Sequence, residues 1–338
     1  MPNRILLALD GSTMDEAAFS QAERIAAGGA EIHLVHVVPS RVVPVGTPLL
    51  GMMDTPGEVP VATGATGAEA QVTGSFPSSS PRGAFPVGRV QIYDQTVEYL
   101  DRFRRRLSGI PGQDIVRTGD PADGILQAAL MFNVDLIVMS THARAGFARW
   151  FLGSVSQTVL KRSQLPVLLV RQGNLVQPDR LRRILVPLDG SAESRAILSA
   201  VKPLAVRVKA EILLLHVIER KWSSLRARPA AGDPRHEFQD LTDGLSEAGI
   251  PWQAVTAHGD PAQEILTHVR SRNADLIAMS TRAPSRLERS FGKTVSQSVL
   301  ARSDRPVLLQ MPVIHSDRSD KVDFNRRKTA SSAPRFRT

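Results

Sequence analysis

Between Asp135 and Val170 the chain sets out residues suited to gripping an anion. The stretch reads DLIVMSTHARAGFARWFLGSVSQTVLKRSQLPVLLV. An apolar run, Leu136 to Met139, stops at Ser140 and Thr141. His142, Arg144 and Arg149 follow, then Gly153 and Ser154, then a helical pattern from Val155 to Arg162. A strand, a basic loop with a glycine, and a fresh helix start bring free N–H groups and a positive dipole end together. That combination is a common way of holding phosphate.

Elements must position these residues, and the sequence writes them twice. Arg4–Asp10 (RILLALD) precedes Gly-Ser and recurs as Arg183–Asp189 (RILVPLD), again before Gly-Ser. Glu31–Val38 (EIHLVHVV) recurs as Glu211–Ile218 (EILLLHVI), and Gly119-Asp120-Pro121-Ala122 as Gly259-Asp260-Pro261-Ala262. Asp135–Thr141 (DLIVMST) returns as Asp275–Thr281 (DLIAMST), and LPVLL (165–169) as RPVLL (305–309). This is an internal duplication. Each unit alternates short apolar runs with helical patterns, so each reads as an α/β unit with a parallel sheet. Runs such as ILLAL and LIVM are apolar on both faces, as helix-covered parallel strands must be. In the first unit the pattern predicts strands at 4–9, 31–38, 113–118, 134–140 and 166–171. It predicts helices at 14–28, 91–108, 121–132 and 154–162. Asp120-Pro121 fits a helix start, with Asp as cap and Pro at the first helical position. In the second unit one helix is expected from Ala192 to Val208.

Composition sets the bounds. A chain of 338 residues accommodates two domains with real cores, and 42% hydrophobic with 22% charged residues is ordinary for a globular protein. No run is long enough for a membrane-spanning helix, and the N-terminus reads as a first strand rather than a signal peptide. The expected location is therefore cytoplasmic. With no cysteine, disulfides and thiol chemistry are excluded. Part of the +9 charge sits in the tail from His315 to Thr338, with seven Lys/Arg against three Asp, and the expectation for 312–338 is a basic, disordered end. No signature of a dedicated nucleic-acid domain is present. The stretch 41–90, rich in Pro, Gly, Ser, Thr and Ala, is expected to be a disordered insertion, the alternative being a lid over the end of the second strand. The domains are then 1–171 and 182–311.

The ordered set of features resembles the universal stress protein family in its tandem, two-domain form. It comprises a first strand ending in Asp10, His36-Val37 near the end of the second strand and Gly119-Asp120-Pro121 before a helix. The Met139-Ser140-Thr141-His142 loop, the segment Arg149 to Ser156 and the closing strand from Pro166 complete it. The resemblance implies two Rossmann-like open sheets of strand order 3-2-1-4-5, with a ligand crevice between strands one and four. It also implies ATP or a related adenine nucleotide as ligand, with Mg²⁺. The nucleotide-binding branch carries G-x2-G-x9-G-S/T. Ser140 and Ala143 take the places of its first two glycines, and Gly153-Ser154 follow at the expected spacing. By resemblance, Ala8, Met139 and the backbone of Val37 meet the adenine. Asp10 contacts the ribose or the cation, and Gly153, Ser154, Val155 and Ser156 cradle the phosphates.

The residues alone leave other readings open. Asp10 suits a turn before Gly11-Ser12, and His36 and His216 suit hydrogen-bonded core positions. Arg144 and Arg149 could neutralise phosphate or stay solvated. In the second unit the corresponding residues are Asp189, Val217, Ser280, Gly292 and Thr294. There the loop is one residue shorter, contains Pro284, and has Lys293 in place of the hydroxyl. Gly292-Lys293-Thr294 is not a P-loop, because Leu287 stands where that motif needs glycine. The function expected is a stress-response regulator or sensor binding nucleotide in the first unit. The alternatives are an interaction scaffold without nucleotide or a slow ATP hydrolase. The two halves are expected to pack as a pseudo-dimer through their last strands, with an unknown protein partner and homo-oligomerisation open.

Overall fold

A computed structural model describes residues 3–40, 59–61, 87–141, 153–171, 180–219, 238–281 and 294–312. The first unit runs β1 (Arg4–Leu9), α1 (Asp15–Ala26), β2 (Glu31–Pro39), β3 (Val59–Val61), α2 (Val87–Arg106), β4 (Asp114–Gly119), α3 (Pro121–Met131), β5 (Leu136–Thr141), α4 (Ser154–Arg162) and β6 (Val167–Arg171). The second runs β7 (Arg183–Leu188), α5 (Ala192–Arg195), α6 (Leu198–Val208), β8 (Glu211–Ile218), α7 (Gln239–Glu247), β9 (Trp252–His258), α8 (Pro261–Ser271), β10 (Leu276–Ser280), α9 (Val295–Arg302) and β11 (Val307–Gln310).

All eleven strands join one sheet, in the order β3-β4-β2-β1-β5-β6-β11-β10-β7-β8-β9. Setting β3 aside, each half has the order 3-2-1-4-5 with parallel neighbours. The halves meet where β6 and β11 pair antiparallel, Val307 opposite Leu169, Leu308 opposite Leu168 and Leu309 opposite Val167. Equivalent residues of the two units thus face each other about a local pseudo-twofold at the Leu168–Leu308 pair. The expected packing through the last strands is what the sheet shows.

Strand residues alternate between two cores because successive side chains point to opposite faces. Ile5, Leu7 and Leu9 enter a core with Phe19 of α1, Phe103 of α2, Leu204 of α6 and Leu245 of α7. Leu6 and Ala8 enter the other, with Ile125 of α3, Val159 of α4, Ile265 of α8 and Val299 of α9. Both cores run through both units. Asp135, just before β5, ties the sheet's lower edge: its Oδ2 accepts from the N–H groups of Asn3 (2.7 Å) and Arg4 (3.1 Å). Asp275 does the same for Arg182 (2.7 Å) and Arg183 (3.0 Å). Asp120 caps α3 as expected, accepting from Ala122 and Asp123 N–H at 3.0 Å each, with Pro121 at the first turn.

Two expectations need correction. The span 41–90 contains structure: Val59–Val61 pair antiparallel with β4, and α2 begins at Val87 rather than 91. Pro60 is tolerated there because β3 is an edge strand, where a missing ladder N–H costs little. The rest of the insertion and the tail beyond 312 lie outside the described residues. The expected helix 192–208 is two helices, α5 and α6, joined through Ala196 and Ile197. Pro203 cannot donate to the Ser199 carbonyl, and the turn before it runs on i→i−3 bonds, Ser199 N–H to Ala196 O (3.2 Å) and Ala200 N–H to Ile197 O (3.0 Å).

Candidate functional site

The strand order reverses between β1 and β5, so their carboxyl ends diverge and leave a crevice. Ala8 lies opposite both Val35 and Met139 in the register. Ala8, Val37 and Met139 belong to the same core, on the sheet face covered by α3 and α4, and all are nearly buried. The position of Val37 depends on a glycine that sequence reading passed over. A Cβ built on Gly124 of α3 would lie 2.7 Å from Val37 Cγ2, so only glycine lets the helix approach β2 this closely. The three apolar residues expected against adenine are thus together at the strand tips.

Asp10 ends β1 and is exposed. Its Oδ1 accepts from Ser12 N–H at 2.9 Å, the turn role that the residues alone suggested. Gly11 follows at φ +84°, a left-handed conformation that favours glycine. Asp189 repeats the turn, accepting from Ser191 N–H (3.0 Å) and Oγ (2.6 Å).

The helix start supplies the donors. β5 and β6 are parallel, so α4 must begin at the carboxyl end of the sheet, beside the crevice. Gly153 is its N-cap residue, and no side chain among the described residues caps this end. The first bond of the helix runs from Gln157 N–H to Gly153 O at 2.9 Å. The N–H groups of Ser154, Val155 and Ser156 therefore precede the ladder and are the donors a helix start leaves over. Ser156 is buried and Ser154 exposed. The second unit differs. Thr294 caps α9 with its own hydroxyl, accepting from Gln297 N–H (3.3 Å), while Gln297 Oε1 accepts from Thr294 N–H (3.2 Å). This reciprocal capping box satisfies the Thr294 N–H, and it gives the Gln297 N–H a side-chain acceptor where Gln157 bonds the Gly153 carbonyl. Ser296 also bonds Thr281 at the β10 tip, at 2.8 Å.

Ser140, Val217 and Ser280 all stand at strand ends, as expected. Ala143 and Gly292 lie outside the described residues, as do His142, Arg144 and Arg149. No group of three or more His, Asp or Glu among the described residues could hold a metal ion. Asp10 alone would therefore be one ligand to a Mg²⁺ otherwise carried by phosphates and water, a mode natural to that ion.

Sequence reading missed Asp15 and Tyr99. Asp15 is 1% exposed at the start of α1. Its Oδ2 accepts from the N–H groups of Asp10 (3.0 Å) and Gly11 (2.9 Å) and from the Tyr99 hydroxyl of α2, and its Oδ1 accepts from Ser140 Oγ at 3.5 Å. Burial, opposed by the Tyr99 hydrogen bond and reinforced by the nearby Asp10 charge, pushes its carboxyl up to about 6. The Tyr99 hydroxyl is held well above its usual value by burial and by that bond. His36 stands edge-on to the Tyr99 ring, centroids 5.9 Å apart, and burial lowers its pKa. The available signal was a mismatch between the repeats, Asp15 against Ser194.

The sequence profile described as the universal stress protein family matches residues 1–171 and again 180–309. The chain belongs to the universal stress protein family. Among curated relatives, a universal stress protein of Thermus aquaticus is 47% identical over 66 residues, a match spanning 48% of that relative and 19% of this chain. The universal stress protein YxiE of Bacillus subtilis is 29% identical over 143 residues, covering 97% of that protein and 38% of this one. The fold matches the crystal structure of a universal stress protein from Archaeoglobus fulgidus at a TM-score of 0.64. That likeness, at 21% identity, covers 92% of this chain and 99% of the other. The tandem universal-stress arrangement expected from the sequence thus holds over both halves. No described helix is long and apolar enough to cross a membrane.

Proposed function

We infer that the first unit binds an adenine nucleotide at the tips of β1 and β5, and that the protein acts as a nucleotide-responsive regulator in a stress response. The observation behind this reading is the contrast between two equivalent helix starts. Among the described residues α4 opens on Gly153 with no side-chain cap, whereas α9 closes on its own Thr294–Gln297 capping box. An uncapped helix N-terminus at a sheet switch point favours phosphate through its amides and dipole. Ala8, Val37 and Met139 supply an apolar wall on one side, and exposed Asp10 stands at the end of β1, where a ribose hydroxyl or Mg²⁺ would meet it. ATP is the nucleotide proposed, and the cytoplasm the proposed location.

Gly153→Asp tests this. Among the described residues a Cβ at Gly153 meets only Ser156 Oγ, at 3.9 Å, an ordinary van der Waals contact. The new carboxylate caps α4 as Thr294 caps α9 and repels phosphate. The expected outcome is a melting temperature equal to or above wild type, since Asp is a favourable cap, together with loss of ATP binding in calorimetry. Unchanged ATP affinity in this variant would exclude α4 as the phosphate site.

A further inference from the structure

The two repeats differ at the crevice in a matched pair of residues. In the first unit Asp15 and Tyr99 meet beneath the β1–α1 turn. In the second, Ser194 takes the place of Asp15, and Phe238 packs edge-on to His216 (centroids 5.6 Å) as Tyr99 does to His36. Carboxylate and phenol hydroxyl are both present in one unit and both replaced in the other.

The consequences reach the strand tips. The Asp15 carboxylate holds the Asp10–Gly11 backbone at the end of β1 and Tyr99 on α2, and its other oxygen lies 3.5 Å from the Ser140 hydroxyl at the end of β5, a long contact. Ser194 reaches less far. Its hydroxyl lies 3.4 Å from Asp189 N–H and donates to Ser191 O at 2.9 Å, so it stays within its own turn. Ser280, the counterpart of Ser140, then has a buried Oγ with no hydrogen-bond partner among the described residues.

We propose that Asp15 is a positioning residue of the first-unit crevice: through its carboxylate it fixes the Asp10 turn and the Ser140 hydroxyl in the arrangement that receives the nucleotide, with Tyr99 orienting it. The proposal rests on the nucleotide reading above and explains why the first unit, and not the second, is the binding unit. Asp15 is buried away from the crevice mouth, so it acts through Asp10 and Ser140 rather than on the ligand. A carboxylate oxygen with three donors is locked in place, and bonds to a charged acceptor are the stronger kind. A turn anchored on one buried side chain that also reaches toward the neighbouring strand tip is held ready for a ligand, the preorganisation on which tight binding depends.

The test uses the full chain and calorimetric titration with ATP and AMP on Asp15→Ser, Asp15→Asn and Tyr99→Phe. Asp15→Ser installs the second unit's residue and should weaken binding about tenfold or more, the effect of losing roughly one charged hydrogen bond. Asp15→Asn keeps an acceptor for both amides and for Tyr99, and its NH₂ can donate to Ser140. It should stay within about threefold of wild type. Tyr99→Phe keeps the ring packing and should fall between. Amide exchange gives a readout without ligand: Asp10 and Gly11 should exchange faster in Asp15→Ser and not in Asp15→Asn. Rescue by Asn separates positioning from general destabilisation, and Tyr99→Phe serves if Asp15→Ser fails to fold. A folded Asp15→Ser chain with wild-type affinity overturns the positioning role and leaves the nucleotide reading intact. Asn as weak as Ser overturns the hydrogen-bond account. A wild-type chain that binds neither adenylate overturns the nucleotide reading and this role with it.

Discussion

Asp15 shows how far one buried carboxylate can influence this molecule. In the unfolded chain it titrates near its ordinary value of 3.8, while burial in the folded state pushes it to about 6. The folded state therefore binds the proton more tightly. The stabilisation this gives is fully present below the unfolded value and is lost as pH rises through the folded one. About two units correspond to about 3 kcal/mol. Asp15→Asn cannot titrate, so its stability relative to wild type should rise between pH 4 and 7 by about that amount. Denaturant melts of both chains across this range check it. A difference that stays flat with pH would mean the carboxyl is not perturbed. None of this was legible in the residue string. Asp15 reads there as an ordinary acidic residue in a first helical turn, and only its contact with Tyr99, 84 positions away, gives it another role.

Among the elements, the strands of the two repeated units were readable and the edge strand β3 was not, because an apolar run bounded by turn residues has few alternatives in a duplicated α/β chain. The close approaches between elements were not. Gly112, at φ +156°, sits where an added Cβ would come 1.8 Å from the Ile32 carbonyl oxygen, so the chain passes against β2 with no room for a side chain. Gly112→Ala must push β4 away from β2 and is expected to destabilise by several kcal/mol, the scale of overpacking combined with backbone strain. Thermal unfolding measures it, and a loss below about 1 kcal/mol would show the backbone yields easily. The helix starts show the same limit. Aligned on Ser156-Gln157 and Ser296-Gln297, Thr294 rather than Lys293 stands opposite Ser154, yet Gly153 is the N-cap of α4 and Thr294 that of α9. One residue of offset gives α9 a side-chain cap and leaves α4 with none among the described residues.

Across the whole molecule, the halves form one sheet and share both cores. Arg171 reaches across from the end of β6 to the carbonyls of Ala301 (2.7 Å) and Ser303 (3.0 Å) at the end of α9. Arg207 of α6 bonds Gly28 O (3.0 Å) and Asn3 Oδ1 (2.8 Å) in the first unit. A chain cleaved at a protease site placed between 172 and 179 should therefore elute as one species on size exclusion. Leu308 is 1% exposed at the centre of the junction, and Leu308→Lys, which buries a charge there, should separate the cleaved halves. Separation without the substitution would mean that the linker, not the sheet, holds the units together.

By itself the sequence determined the duplication, the parallel α/β build and the family, because repeats and hydrophobic runs are local patterns a chain cannot hide. The strand order that puts diverging tips between strands one and four came with the family resemblance, and the sheet has that order. Tertiary structure alone decided which helix start carries a side-chain cap among the described residues, that Gly124 makes room for Val37, and that a carboxylate from α1 and a phenol from α2 meet under the Asp10 turn. Those facts are distances between residues far apart along the chain, and they exist only once packing has brought the residues together.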